Sequence, residues 1–246
     1  MKRVRKYINQ DFFKTWSPNM AYVLGYVAAD GCIHSSKDRK DSFIFNITSK
    51  DKSHLVKIRE VLESEYKISS KFNGTKTGGV AYQIQVRNTT ICNDLMDLGI
   101  HPKKTHTLQP LIITDDYFAD FVRGFFDGDG TVYLYKVNGT WQIKTGFVCV
   151  SLPFINDLNI KLCKALDIPL KKLHEDKPKN GVIKYSIDLY VDDSKKFFDF
   201  IYKDDSSLFL TRKKKKFEKW KALKRRGYIK NNDVYPSKVG WHLNGR

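Results

Sequence analysis

The 246-residue sequence predicts an α+β protein made of two pseudo-symmetric repeats, each ordered α-β-β-α-β-β-α. Two observations carry that expectation. The stretch Ala21-Tyr-Val-Leu-Gly-Tyr-Val-Ala-Ala-Asp-Gly31 returns as Asp120-Phe-Val-Arg-Gly-Phe-Phe-Asp-Gly-Asp-Gly130, and a fixed-period repeat is the first thing to seek in a chain of this length. The same succession of strand-like and helical patterns then follows each copy. The composition, 41% hydrophobic with 16 Phe and 13 Tyr, suffices for a sizeable core.

Taken in order, Asp30-Gly31 is followed by the strand-like segments 32–37 and 43–49. A helical pattern then places Leu55, Ile58, Leu62 and Tyr66 on one face. Segments 71–73 and 80–87 flank a glycine turn at Gly74 and Gly78-Gly79, and a helix over 90–98 closes the repeat. After Asp129-Gly130 come strands over 131–137 and 142–151, and a helix with Ile155, Leu158, Leu162 and Leu166 on one face. Strands over 171–175 and 182–191 flank Asn180-Gly181, and a helix over 194–202 follows. Pro110 and Asp115-Asp116 mark the seam. The expected domains are residues 1–110, 111–211, and a basic helix and tail over 212–246.

Charge narrows the partner. Forty-four Lys+Arg against 27 Asp+Glu give a net charge of +17, which points to a polyanion, most often nucleic acid. Residues 205–246 hold thirteen Lys/Arg and only three acids. A bare charge run of this kind also suits a solvated helix face or a tail. Here Phe217, Trp220 and Leu223 interrupt it at helical spacing, which describes a docked helix with a basic outer face. No apolar run approaches the 18–20 or so residues of a membrane span, and no signal-peptide core follows the basic start. Cys32, Cys92, Cys149 and Cys163 form no CxxC pair, the pattern of a reduced, intracellular protein.

The strand 82–87 alternates Tyr82, Ile84 and Val86 with Gln83, Gln85 and Arg87. The strand 184–191 alternates Tyr185, Ile187 and Leu189 with Ser186, Asp188 and Tyr190. The polar faces suit an ordinary solvated sheet, or base edges in a DNA groove. The motif helices are more informative. Gly25 and Ala29, like Gly124 and Gly128, stand four apart, which lets two helix backbones approach closely. Each helix ends in Asp-Gly, with Gly31 and Gly130 expected in the left-handed C-terminal conformation. Pairing the helices brings Asp30 and Asp129 together at the unfavourable ends of two helix dipoles, an arrangement that calls for a hard cation such as Mg²⁺. Two carboxylates and a metal beside a basic surface suggest phosphodiester hydrolysis.

The two motifs, Val23–Gly31 and Val122–Gly130, resemble the signature helices of the LAGLIDADG homing endonucleases, in the single-chain, two-motif, monomeric branch. The resemblance covers roughly residues 15–215. It implies saddle-shaped antiparallel sheets facing double-stranded DNA, metal bound by Asp30 and Asp129 with the Ala29 and Gly128 carbonyls, and short 3′ single-stranded ends after cleavage. Gly99-Ile-His-Pro-Lys-Lys-Thr105 fits the family pattern and marks Lys104 as a catalytic basic residue near the scissile phosphate. Lys213 is its counterpart, with Arg212 and Lys214 as alternative registers. Mg²⁺ is the implied cofactor, with Mn²⁺ as a substitute and Ca²⁺ supporting binding without cleavage.

DNA contacts are expected from His34, Ser36, Asn46, Ser49, Lys71, Asn73, Gln83, Gln85 and Arg87 in the first repeat. In the second they are expected from Tyr133, Tyr135, Lys144, Ser151, Lys172, His174, Ser186, Asp188 and Tyr190. Arg212, Lys214, Lys215 and Lys216 complete the set. Strands of about ten residues span about ten base pairs, so the site would be long and near-palindromic. Ala28 replaces the acid found at Asp127, and Arg123 is expected off the helix interface. The absence of splice-junction residues at either end favours a free-standing or intron-encoded enzyme of intron homing. The alternatives are an intron RNA-splicing maturase and a catalytically silent DNA-binding regulator; retention of both aspartates favours the nuclease.

Overall fold

The computed structural model describes residues 6–35, 42–72, 79–179, 181–203 and 208–225. Ser36, Asn73, Gly74, Gly78, Asn180 and the tail from 226 onward lie outside the described residues. The first repeat runs α1 (Pro18–Asp30), β1 (Gly31–Ser35), β2 (Phe43–Ser49), α2 (Lys52–Val61), β3 (Ile68–Phe72), β4 (Val80–Arg87) and α3 (Thr89–Asp97). A single 3₁₀ turn, Asp115–Tyr117, leads into the second. This comprises α4 (Phe118–Asp129), β5 (Thr131–Val137), β6 (Thr140–Cys149), α5 (Leu152–Leu166), β7 (His174–Asp176), β8 (Lys184–Leu189) and α6 (Val191–Ile201). The basic helix α7 spans Thr211–Arg225.

The two sheets are antiparallel with the same strand order, β1-β2-β4-β3 and β5-β6-β8-β7. The repeat seen in sequence is therefore a repeat in space. Its element bounds shift: α2 stops at Val61, leaving Tyr66 beyond it, and β3 begins at Ile68. Strand β7 is only three residues long, and α6 starts at Val191.

Alternation sends Phe45, Ile47, Ile84 and Val86 inward from the first sheet, and Ile143, Phe147, Ile187 and Leu189 inward from the second. These join α1 and α4 in one buried cluster that crosses the seam without a break. Local sequence starts α1 firmly, because Ser17 Oγ accepts the Met20 N–H at 3.1 Å and Pro18 needs no donor partner there. Helix α7 docks on the second sheet through Phe217 and Trp220, with Phe217 set among Phe126, Phe197, Phe198 and Tyr202.

The α1–α4 seam is backbone against backbone. A Cβ on Gly124 would lie 2.8 Å from the Tyr22 carbonyl carbon and 2.9 Å from the Tyr26 nitrogen; one on Gly25 would lie 2.8 Å from the Phe125 nitrogen. The glycines that end these helices are needed for a different reason than expected. Gly31 has φ −89° and Gly130 φ −72°, both extended rather than left-handed. The chain turns directly from helix into strand and folds over its own last turn. A Cβ on Gly31 would meet Val27, and one on Gly130 would meet Phe126. Space, not dihedral freedom, selects glycine at both.

Candidate active site

Helices α1 and α4 end side by side, so the residues of their last turns meet. A Cβ on Gly128 would lie 3.6 Å from the carboxyl carbon of Asp30 and would also collide with the Ala29 side chain. Only a residue without a side chain leaves room there, and the result is two carboxylates at adjacent helix C-termini. Both Asp30 and Asp129 reach solvent, while protein crowds their other sides. Loss of water raises Asp129 to about 6, and repulsion from Asp30 adds to it. Asp30 is raised by the same desolvation, against the pull of Lys213 and Lys104.

The two lysines occupy matching places. Lys104 Nζ, buried, donates to the Ala28 carbonyl at 2.7 Å and the Ala29 carbonyl at 3.1 Å. Lys213 Nζ, also buried, donates to the carbonyls of Phe126, Asp127 at 2.9 Å and Gly128 at 3.4 Å. Each ammonium thus caps the negative end of its own motif helix. Of the three registers open in sequence, the geometry puts Lys213 there. Arg212 points out to Asp51 at 2.9 Å, and Lys214 lies over the Phe209 ring. Burial lowers Lys213 to about 8 and lowers Lys104 as well, opposed in each case by the nearby aspartates. A cleft of about 260 Å³ opens between the helix ends and the second sheet, lined by Ala29, Lys104, Asp129, Cys149 and Lys184 among others.

The donor set fits a hard divalent cation. It has two carboxylates, no third His, Cys, Asp or Glu grouped with them among the described residues, and a cradle that a Cβ on Gly128 would fill. The carbonyls of Ala29 and Gly128 each already accept a lysine proton, which leaves one lone pair apiece.

Behind the helix ends lies a polar chain that sequence reasoning missed. Asp127, almost fully buried, accepts from the Tyr22 hydroxyl at 2.7 Å and from the Leu210 N–H at 2.7 Å. The Tyr22 hydroxyl also meets His54 Nε2 at 2.9 Å. Desolvation raises Asp127 to about 6 and lowers His54 to about 4, so this histidine is neutral near pH 7. Arg123, expected off the helix interface, also meets Tyr22 of α1. It is buried, packs its guanidinium over the Tyr22 ring, and donates to the carbonyls of Leu208 at 2.8 Å and Ile201 at 2.9 Å and to Asp120 at 2.5 Å. The available signal was Arg123 flanked by Asp120 three residues before it and Asp127 four residues after it on the same helix.

The outer sheet faces gather many of the candidate DNA contacts. Strand register sets His34 beside Ile44, Asn46 beside Gln85, and Ile44 beside Arg87, while Ser69 and Lys71 follow on β3. In the second sheet Tyr133 pairs with Lys144, Tyr135 with Gln142, and His174 with Ser186. Lys144 binds Asp188 at 2.7 Å and lies over the Tyr190 ring, so these three act together. Lys172 is exposed just before β7. Thr48, Gln142 and Lys184 share these faces and were not singled out from sequence.

Several candidates face elsewhere. Ser49 is buried and accepts from the Tyr26 hydroxyl at 3.0 Å; Ser151 is buried, caps α5 and donates to the Leu108 carbonyl at 2.5 Å. Both shape the site from beneath instead of touching a groove. Asn46 shares the outer face but is only 7% exposed. On α7, burial of Lys213, Phe217 and Trp220 turns the flanking lysines back along the protein: Lys216 donates to the Val132 carbonyl at 3.1 Å, and Lys214 covers aromatic rings. Arg212, Lys215 and Lys216 remain exposed.

Residues 17–93 match the LAGLIDADG-like domain family. Solved structures extend the likeness over both repeats. The homing endonuclease I-WcaI bound to its DNA recognition sequence superposes with a TM-score of 0.53 at 16% identity, over 84% of this chain and 90% of that one. Mesophilic variants of the homing endonuclease I-DmoI give 0.53 at 15% identity, over 78% and 94%. Full-length DUF199/WhiA from Thermatoga maritima gives 0.51 at 12% identity, over 91% and 66%. At these identities the likeness is one of fold. No curated protein matches the chain in sequence. No helix among the described residues is long and apolar enough to cross a membrane.

Proposed function

We propose that this two-motif chain of LAGLIDADG homing endonuclease fold is a site-specific double-strand DNA endonuclease, acting as a monomer in a reduced compartment with access to DNA. The observation that supports this most is the meeting of Asp30 and Asp129 at two abutting helix ends, each with its own buried lysine. Asp30 and Asp129 would hold Mg²⁺, which when bound supplies Lewis-acid polarisation of a phosphate and activates water. The outer faces of the two sheets would lie in successive major grooves, with Gln83, Gln85 and Arg87 reading one half-site and Tyr133, Lys144 and Ser186 the other. Lys104 and Lys213 would each offset charge at one scissile phosphate.

Selection of cleaved sites from a randomised DNA library tests the reading directly. Recovery of one long site, cut on both strands in Mg²⁺ and bound uncut in Ca²⁺, supports it. Tight specific DNA binding without cutting in any divalent metal would leave a silent regulator. Metal-independent preference for structured intron RNA over DNA would leave a maturase.

A further inference from the structure

The two motif helices are not equivalent. Where α1 has Leu24 and Ala28, α4 has Arg123 and Asp127, one turn apart and both nearly fully buried. Their polar atoms converge on one short segment of chain. Arg123 donates to the Leu208 and Ile201 carbonyls, and Asp127 accepts the Leu210 N–H. Helix α7 begins at Thr211, and Lys213 lies in its first turn. The Lys213 ammonium then returns to the carbonyls of Phe126, Asp127 and Gly128 on the same α4. Tyr22 of the first repeat closes the arrangement by donating to Asp127 while its ring receives the Arg123 guanidinium.

The lysine of the first repeat is held differently. Among the described residues the Lys104 segment carries no such pair; Ser151 of the second repeat donates to the Leu108 carbonyl instead. We infer that Arg123 and Asp127 form a two-point clamp, unique to the second repeat, that positions Lys213 for one of the two strand cuts. The inference rests on the nuclease reading above. Arg123 and Asp127 act through Lys213, so they are positioning residues. A clamp on one lysine leaves the other untouched, and its loss falls on a single strand. Misplacing a charged group by about 1 Å at a reacting centre lowers rate by about a hundredfold.

The experiment compares wild type with Asp127→Ala, Asp127→Asn, Arg123→Leu and Lys213→Met on supercoiled plasmid carrying the selected site, with each strand's rate followed separately. Lys213→Met identifies the strand that depends on this lysine. Asp127→Ala and Arg123→Leu should slow that strand by about tenfold to a hundredfold and accumulate nicked circles, with the other strand's rate and target affinity retained. Asp127→Asn keeps an oxygen able to accept both hydrogen bonds and should restore most of the lost rate. Equal slowing of both strands in a folded protein that still binds its site would overturn the clamp. Should Arg123→Leu fail to fold, the two Asp127 variants carry the comparison. A readout independent of cleavage separates this failure from that of the nuclease reading: reductive methylation of Lys213 should be slow in wild type and fast in Asp127→Ala. Wild-type protection unchanged in Asp127→Ala refutes the clamp even if the protein cuts no DNA.

Discussion

Replacing Gly124 by alanine adds one methyl group where α1 and α4 meet backbone to backbone. That methyl would lie 2.8 Å from the Tyr22 carbonyl carbon and closer still to its oxygen, whereas non-bonded carbon atoms rest about 3.5–4.0 Å apart. Helices α1 and α4 must therefore separate by about 1 Å, because the obstacle is backbone and no rotamer relieves it. Overpacking of this kind costs about 1–3 kcal/mol, and for a chain of this size each kcal/mol lowers Tm by about 2–4 °C. The fall should be about 2–12 °C. The same separation moves Asp129 away from Asp30, and a shift near 1 Å at a reacting centre costs about a hundredfold in rate. Thermal unfolding followed by circular dichroism, and single-turnover plasmid cleavage below Tm, measure the two effects. The sheets lie outside the seam, so affinity for target DNA in Ca²⁺ should fall far less than cleavage. A Gly124→Ala protein with wild-type Tm and wild-type cleavage would refute the close-packed seam and the need for paired carboxylates together.

Asp30→Asn and Asp129→Asn should each abolish double-strand cutting while binding in Ca²⁺ holds or strengthens, since a negative charge leaves a phosphate-facing site; full cutting by either variant would remove that carboxylate from the metal set. The pH dependence of stability combines Asp129, raised to about 6, with His54, lowered to about 4 and opposite in sign, and with Asp127, raised from 3.8 to about 6. The folded protein keeps a proton there that the unfolded chain has lost, so this contribution is complete below about pH 4 and disappears as pH rises through 6. Urea titrations in chelator should show wild-type stability falling with pH between those limits relative to Asp127→Asn, which lacks this one contribution. Neutralising the exposed Arg212, Lys215 and Lys216 should reduce the dependence of log K on log salt by about 0.9 for each phosphate they had neutralised, with the preferred sequence unchanged; neutralising Lys214, which covers aromatic rings, should do less. Gln83→Ala or Gln85→Ala should relax preference at one or two positions of one half-site by about 1–3 kcal/mol, read by competition among site variants.

The repeat, the two Asp-Gly helix ends and the i, i+4 small residues were legible because each is a local pattern. A helix carries its own 3.6-residue period, a strand its period of two, and Gly25 and Gly124 mark the faces that could approach so closely. Lys104 came instead from the resemblance of Gly99–Thr105 to the family pattern, which local periodicity alone does not supply. What sequence left open was how distant segments meet. Gly31 and Gly130 carry no dihedral signal; each is glycine because the chain doubles back onto Val27 or Phe126. A run of five basic residues gives no preference among Arg212, Lys213 and Lys214. The packing of Phe217 and Trp220 sets the rotation of α7, and that rotation turns Lys213 toward α4. Arg123 read as an intruder on an apolar helix until its partners, Ile201 and Leu208, were in place. A buried charge persists only where hydrogen-bonding partners surround it, and those partners come from chain that local periodicity does not reach.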